Sequence, residues 1–425
     1  MPPARTPRRA AATRATHTVQ GETLLQRLFL LRFLHAEFGF RPDVAQAYDP
    51  RGDSATRVLL SALRDTEEGY GTDGMSFVAS ALTGRAGKTV TAGEIKSYDA
   101  NVRSHLYRIN ERRSEPLTLR YFQTMAMLYT ERVLDRLGKG PKQFCKELNA
   151  FVQTTKPVGW REFPRFTPAS LRKLAFMMAT GSGKTLLFHL NYLQFLHYNG
   201  NKPLANILLI TPGPDLSAQH LRELQASGLP CRLFDAGRSR DLTDTPHTIE
   251  IIGISRFVAE KKDKGTRIEP ASFSGRNLIF VDEGHRSKSE EGVQRQIREA
   301  LVGDDGFVFE YSETFQQAFA GDDDDQRARR DEYGAAICFD YSYKWFLHDG
   351  YGKDFTVLNS SGADAEAGTW SLLAGLFVFA AQSHAYRNNH ATLKEYNVAA
   401  PLALMVGREI AGSTQDDATT RADVL

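Results

Sequence analysis

Eight residues constrain this chain more than any others: Met178-Ala-Thr-Gly-Ser-Gly-Lys-Thr185. An apolar run, Leu174 to Met177, precedes them, and a helix-like run, Leu186 to Tyr198, follows. A strand, a glycine-rich turn and a helix start, in that order, make a cradle for phosphate. Turn N–H groups converge there, and the helix dipole favours negative charge. In such a cradle Thr180, Gly181, Ser182 and Gly183 supply the backbone, Lys184 reaches the β- and γ-phosphates, and Thr185 holds Mg²⁺. Gly181 and Gly183 let the chain approach phosphate oxygens with no Cβ in the way. The chain departs from the general pattern at Met178, where a glycine is usual.

A second motif lies downstream: Asn277-Leu-Ile-Phe-Val-Asp-Glu-Gly-His285. Leu278 to Val281 has the continuous apolar character of a strand buried on both faces. Two carboxylates follow at its C-terminal end, where open α/β sheets bind ligands. Asp282 would orient Mg²⁺ through its water shell, and Glu283 would polarise an attacking water as general base. His285 would report nucleotide state to a nucleic-acid site. Alone, Asp-Glu-x-His also reads as a solvated acidic turn; the strand before it and the cradle upstream select the catalytic reading.

Together these residues resemble motifs I and II of superfamily 2 helicases, the DEAD/DEAH-box type. In look they are nearest to the helicase-like subunits of type III restriction enzymes and of related bacterial anti-phage defence systems. The resemblance extends over residues 117–410. It implies an α/β fold: a RecA-like parallel sheet, a mostly helical N-terminal region and the start of a second RecA-like domain. Ile207-Leu-Leu-Ile-Thr-Pro212 looks like motif Ia, which implies nucleic-acid contact at Thr211 and Pro212. Gln219 follows at an offset where related helicases place a Gln or Arg near the strand. Phe309-Glu-Tyr-Ser-Glu-Thr314 stands where motif III, Ser-Ala-Thr, is expected. Ser312 and Thr314 match as coupling residues, but Glu313 replaces the small central one. Leu119-Arg-Tyr-Phe-Gln123 resembles the Gln motif, in which Gln123 would read the adenine edge.

No segment matches motif VI, and the neighbours of Arg408 do not fit it. That motif carries an arginine finger, worth about 10³ to 10⁵ in rate in phosphoryl transfer. The chain therefore reads as the N-terminal part of a larger helicase.

At 425 residues, 41 % hydrophobic and 24 % charged, the chain can bury a substantial core across two or three domains. A net charge of +2 announces no global nucleic-acid field, so DNA would bind through local patches. Cys145, Cys231 and Cys338 form no metal-binding spacing and suit a reducing cytoplasm. Trp370 to Ala381 is too short to span a bilayer. Arg5, Arg8, Arg9 and Arg14 precede no apolar segment of a secretory signal.

Residues 1–20 read as a disordered basic tail and 21–116 as a helical accessory region, with a helical pattern from Glu22 to Phe40 and helices near 53–68 and 93–112. The first RecA-like domain is expected over 117–345, a helical connector over 346–395, and a truncated second domain over 396–425. A long helix fills 119–137. Residues 138–170, with four prolines, read as a loop-rich connector. Strands are expected near 173–178, 205–211, 231–235, 248–254, 277–282 and 307–312, then at 337–343 and 355–358, with helices near 184–198, 215–226 and 290–302. Four consecutive aspartates, Asp322 to Asp325, read as a solvated loop rather than a metal site. His189, His197 and His220 read as core or surface residues, while Arg256 and Arg286 each follow an apolar strand and could reach a phosphate.

Two functional readings follow. In the first, the chain is the ATP-binding part of a DNA helicase or translocase, using ATP and Mg²⁺. Its partners are nucleic acid, DNA rather than RNA, and a subunit carrying the second helicase domain, a nuclease or a methyltransferase. In the second, it is an ATP-binding switch or assembly subunit with little hydrolysis of its own. Glu313 and the missing finger favour the second; Glu283 favours the first. A simple P-loop kinase fails for want of a recognisable acceptor site.

Overall fold

Mostly apolar runs of five or six residues and one three-residue edge segment become the strands of one sheet. The computed structural model describes residues 23–41, 54–156, 159–235, 246–258, 268–282, 291–321, 323–352, 365–395 and 398–403. Among them the strands are β1 (Lys173–Met178), β2 (Asn206–Thr211), β3 (Cys231–Leu233), β4 (Ile249–Gly253), β5 (Asn277–Asp282), β6 (Phe307–Ser312) and β7 (Ile337–Tyr341). Gly or Pro marks the exits of β1, β2, β4 and β5. Their order is β3-β4-β2-β5-β6-β1-β7, and every pairing is parallel. This is an α/β, RecA-like architecture with helical crossovers. Because all strands run the same way, their C-terminal ends share one edge of the sheet.

The strand period of two sorts the apolar side chains between two cores. Ile207, Leu209, Leu278, Phe280, Phe307 and Phe309 join the larger core, which also takes Phe188, Tyr192 and Phe195 from the helix Lys184–Asn199. Leu208, Ile210, Ile279, Val281 and Val308 face the smaller one, closed by Ile297 and Leu301 of the helix Glu291–Val302. Central strands β2 and β6 are buried at every position; in β2 this matches a nearly continuous apolar run, and in β6 the buried Glu310 is paired with Lys173.

The helix Tyr121–Lys139 is buried along most of its length and belongs to the larger core. Against it pack Phe77–Thr83, Ala92–Asn110 and Lys184–Asn199, and Phe29–Glu37 reaches it through His35 and Tyr129, with Ser54–Leu63 packed on Phe29–Glu37. The expected single helix from Glu22 is broken at Leu28, which leaves helical backbone between Leu24–Arg27 and Phe29–Glu37. Arg27, fully buried, donates from Nε to Asp331 Oδ1 at 2.7 Å, and Arg161 pairs with the same carboxylate.

Two expectations are corrected. The connector 138–170 contains a regular helix, Pro141–Thr155. Its proline sits in the first turn, where the missing N–H has no helical partner to lose. Of the acidic run, Asp322 lies outside the described residues, while Asp324 and Asp325 begin the helix Asp324–Ala336 and Asp323 is its N-cap. Asp323 caps it by accepting the Gln326 N–H at 2.8 Å, while Asp324 pairs with Arg327 and Asp325 with Arg329. Acids at a helix N-terminus are favoured by the dipole and by pairing one turn on.

Residues 1–352 form one compact unit and 353–425 another. In the second, the described residues hold the helices Ala365–Asn388 and His390–Glu395. The basic tail, the strand expected at 355–358 and most of Pro401 to Gly407 lie outside the described residues. Among those described, no helix is long and apolar enough to cross a membrane.

Candidate nucleotide site

At the end of β1, Met178 is fully buried, so the position that departs from the general pattern puts its side chain into the core. The chain then leaves the sheet: Ala179 donates its N–H to the Tyr341 carbonyl on β7 at 2.9 Å. Ser182 closes the turn by donating both its N–H (3.2 Å) and its Oγ–H (2.6 Å) to the Ala179 carbonyl. Gly181 and Gly183 have φ of 84° and 87°, the left-handed conformation that side chains resist. Lys184 and Thr185 are the first two residues of the helix that follows. A turn of this form, feeding a helix N-terminus, is a phosphate cradle.

Gln123 meets this turn despite its distance in sequence. Its Nε2 donates to the Ser182 carbonyl at 2.9 Å, and its Oε1 accepts the Arg120 N–H at 2.9 Å. Both ends of the amide are thereby used within the protein. A Cβ on Gly183 would meet the end of the Gln123 side chain, so a substitution there must displace the Gln123 amide from its bonds as well as adopt an unfavourable φ.

Beside β1 lies β6, and beside β6 lies β5. The turn, the end of β6 and Asp282 therefore stand in a row, with Asp282 two strand spacings, roughly 10 Å, from the turn. At the end of β6, Ser312 is buried and its Oγ accepts the Thr314 N–H at 3.0 Å. Glu313, between them, accepts two bonds from Thr180: one from the N–H at 2.9 Å and one from the hydroxyl at 2.7 Å. At the end of β5, Asp282 Oδ2 lies 2.9 Å from His220 Nε2. Facing a carboxylate, that nitrogen carries the proton. Nδ1 is buried with no hydrogen-bond partner among the described residues.

His220 belongs to the helix Pro214–Ala226, which follows β2. At its entry Thr211 is buried, its hydroxyl shared with Ser217 Oγ at 2.6 Å. Pro212 is half-buried and Gln219 exposed, one residue before His220. Glu283, His285 and Arg286 lie outside the described residues. The sequence had left His220 as a core or surface residue. No local sequence signal marks it: the contact follows from β2 pairing with β5, which brings the helix leaving β2 past the end of β5.

A hydroxyl, Thr185, and a carboxylate, Asp282, are the hard oxygen donors that Mg²⁺ takes while keeping several waters. Lys184 and the turn N–H groups suit polyphosphate.

Residues 117–316 match the family model described as type III restriction enzyme, res subunit. Among solved structures, the UvsW helicase from bacteriophage T4 matches at 18 % identity and a TM-score of 0.28, over 47 % of this chain and 76 % of that one. No curated protein matches.

Proposed function

We propose, from the premise that residues 117–316 carry a domain of the type III restriction res-subunit family and that the chain resembles superfamily 2 helicases, that this domain hydrolyses ATP to move on DNA. The observation that supports it most is the row of phosphate turn, β6 end and Asp282 along one edge of a parallel sheet. Bound Mg²⁺ would neutralise phosphate charge and order the reacting groups.

In this reading Lys184 holds the β- and γ-phosphates, and Thr185 with Asp282 positions the metal. Glu283 takes the proton of the attacking water. Gln123 supports the turn from behind and, on exchanging partners, reads the adenine edge. DNA crosses the same edge on the Pro212 and Gln219 side. Ser312, Thr314 and His285 couple the two sites. A second RecA-like domain, in cis or in trans, closes the cleft and supplies the arginine. The setting is a restriction or anti-phage system, with a nuclease or methyltransferase as partner.

The test is ATP turnover with and without duplex DNA, with Lys184→Ala as control. DNA-stimulated turnover that disappears in the variant supports the motor. Binding of ATP with turnover at the level of the variant, with or without DNA, replaces it with the switch reading. The contact of Glu313 with Thr180 favours that second reading, because a carboxylate already holds donors of the phosphate turn.

A further inference from the structure

A carboxylate and a phosphate oxygen compete for the same N–H groups, and Glu313 is already in place. We infer that Glu313 is a specificity-determining residue: it holds the front of the phosphate turn through Thr180, and an incoming nucleotide must displace it, a triphosphate at greater cost than a diphosphate. This rests on the turn being a nucleotide site.

Three observations carry it. First, the contact is bidentate in donors: backbone N–H and hydroxyl of Thr180 both point to the same oxygen, Oε2. Second, the carboxylate is aimed by its neighbours. Ser312 and Phe315 are buried on either side of it, and the Ser312 Oγ bond to the Thr314 N–H fixes the exit turn of β6. Third, among the described residues no cation pairs with Glu313; both of its hydrogen bonds go to Thr180. Its charge is therefore added to the cradle with no ion pair of its own among the described residues. Repulsion scales with the charge of the ligand, and a triphosphate carries one more phosphate than a diphosphate. The small residue expected at this position in the resemblance could do none of this.

Displacement also has a structural consequence. Glu313 links the turn to the end of the adjacent strand, so displacing it breaks the tie between Thr180 and the exit of β6, while the buried Ser312 and Phe315 stay in place. Occupancy of the turn is then read one strand away.

The experiment is calorimetric titration of the full chain with Mg·ATP and Mg·ADP, in wild type, Glu313→Ala, Glu313→Gln and Lys184→Ala, with melting of each protein without nucleotide. Removing the charge is expected to tighten ATP about ten-fold, the size of one charge-assisted hydrogen bond no longer in competition, and ADP by less. Glu313→Gln keeps the length of the side chain and an acceptor oxygen but loses the charge, so it should tighten ATP in the same direction as Glu313→Ala and by less; if alanine lowers the melting point, glutamine alone decides. Unchanged or weaker ATP binding in Glu313→Gln overturns the inference. An equal gain for ATP and ADP overturns the discrimination. If wild type binds through Lys184 and the Glu313 variants match it, only this inference falls. If no variant binds nucleotide, the reading of the turn falls with it.

Discussion

His220 Nε2 stands 2.9 Å from Asp282 Oδ2, joining the helix after β2 to the carboxylate at the end of β5. One residue before His220 is the exposed Gln219, so a single helix presents one side chain to solvent and the next to Asp282, the proposed Mg²⁺ carboxylate. Partners of this kind orient a ligand, and losing them costs about 10- to 100-fold in metal affinity. His220→Ala is therefore expected to raise the Mg²⁺ concentration needed for ATP binding at least ten-fold, with His220→Gln recovering part. An unchanged Mg²⁺ midpoint would remove His220 from the site.

Gly183→Ala meets two obstacles, the left-handed φ of 87° and the Gln123 amide, which would have to move aside. The first alone costs roughly 1 kcal/mol or more. The expectation is a loss of nucleotide affinity together with a lower melting point. Gln123→Ala breaks the bond to the Ser182 carbonyl, worth about 1 kcal/mol, and clears the space. The double variant should thus be less damaged than the sum of the two, a coupling that a double-mutant cycle reads directly. Strict additivity would show that the two residues do not meet.

Much of this site was legible because its signals are local. The turn, the strands over 173–178, 277–282 and 307–312, and the helix from Lys184 stand where apolar runs and glycines put them. Contacts across the sheet were not legible. Nothing in the sequence says that β6 lies between β1 and β5, so the pairing of Glu313 with Thr180 had no local sign. The bond from Gln123 to the Ser182 carbonyl had no local sign either, because sequence distance says nothing of a helix folded back against the one that starts at Lys184. Four prolines over 138–170 suggested a loop, although Pro141 in a first turn breaks nothing.

Acid should destabilise the first unit in two stages. Burial, and then the charge of Arg32, pulls the His35 imidazole down to about 3. It is held neutral between the Tyr129 hydroxyl and Thr56 Oγ1. The unfolded chain takes up that proton near pH 6.5, so stability falls as pH drops from there toward 3. Burial alone would raise the Glu310 carboxyl, but Lys173, Arg298 and the Tyr333 hydroxyl hold it at about 2. Its contribution, on the order of 3 kcal/mol, is complete above the unfolded value near 4.5 and is lost as pH falls toward 2. Glu310→Gln should lower the melting point at pH 7 and flatten its dependence below pH 4.5. A variant with the wild-type acid profile would contradict this.

Gln219, exposed on its helix, can be changed without disturbing the core. Gln219→Glu places a negative charge where DNA is proposed to run, and should reduce stimulation of turnover by DNA while leaving ATP affinity intact. The readout is the DNA concentration at half-maximal rate, at two salt concentrations. Equal half-points in variant and wild type would move the DNA path away from this helix.

The most direct test is binding of Mg·ATP to the whole chain, by calorimetry, in wild type and Lys184→Ala. One saturable site in the wild type, weakened at least ten-fold by the substitution, is the predicted result. Equal affinity in the two proteins, or no binding in either, would contradict the assignment of residues 178–185 as a nucleotide site.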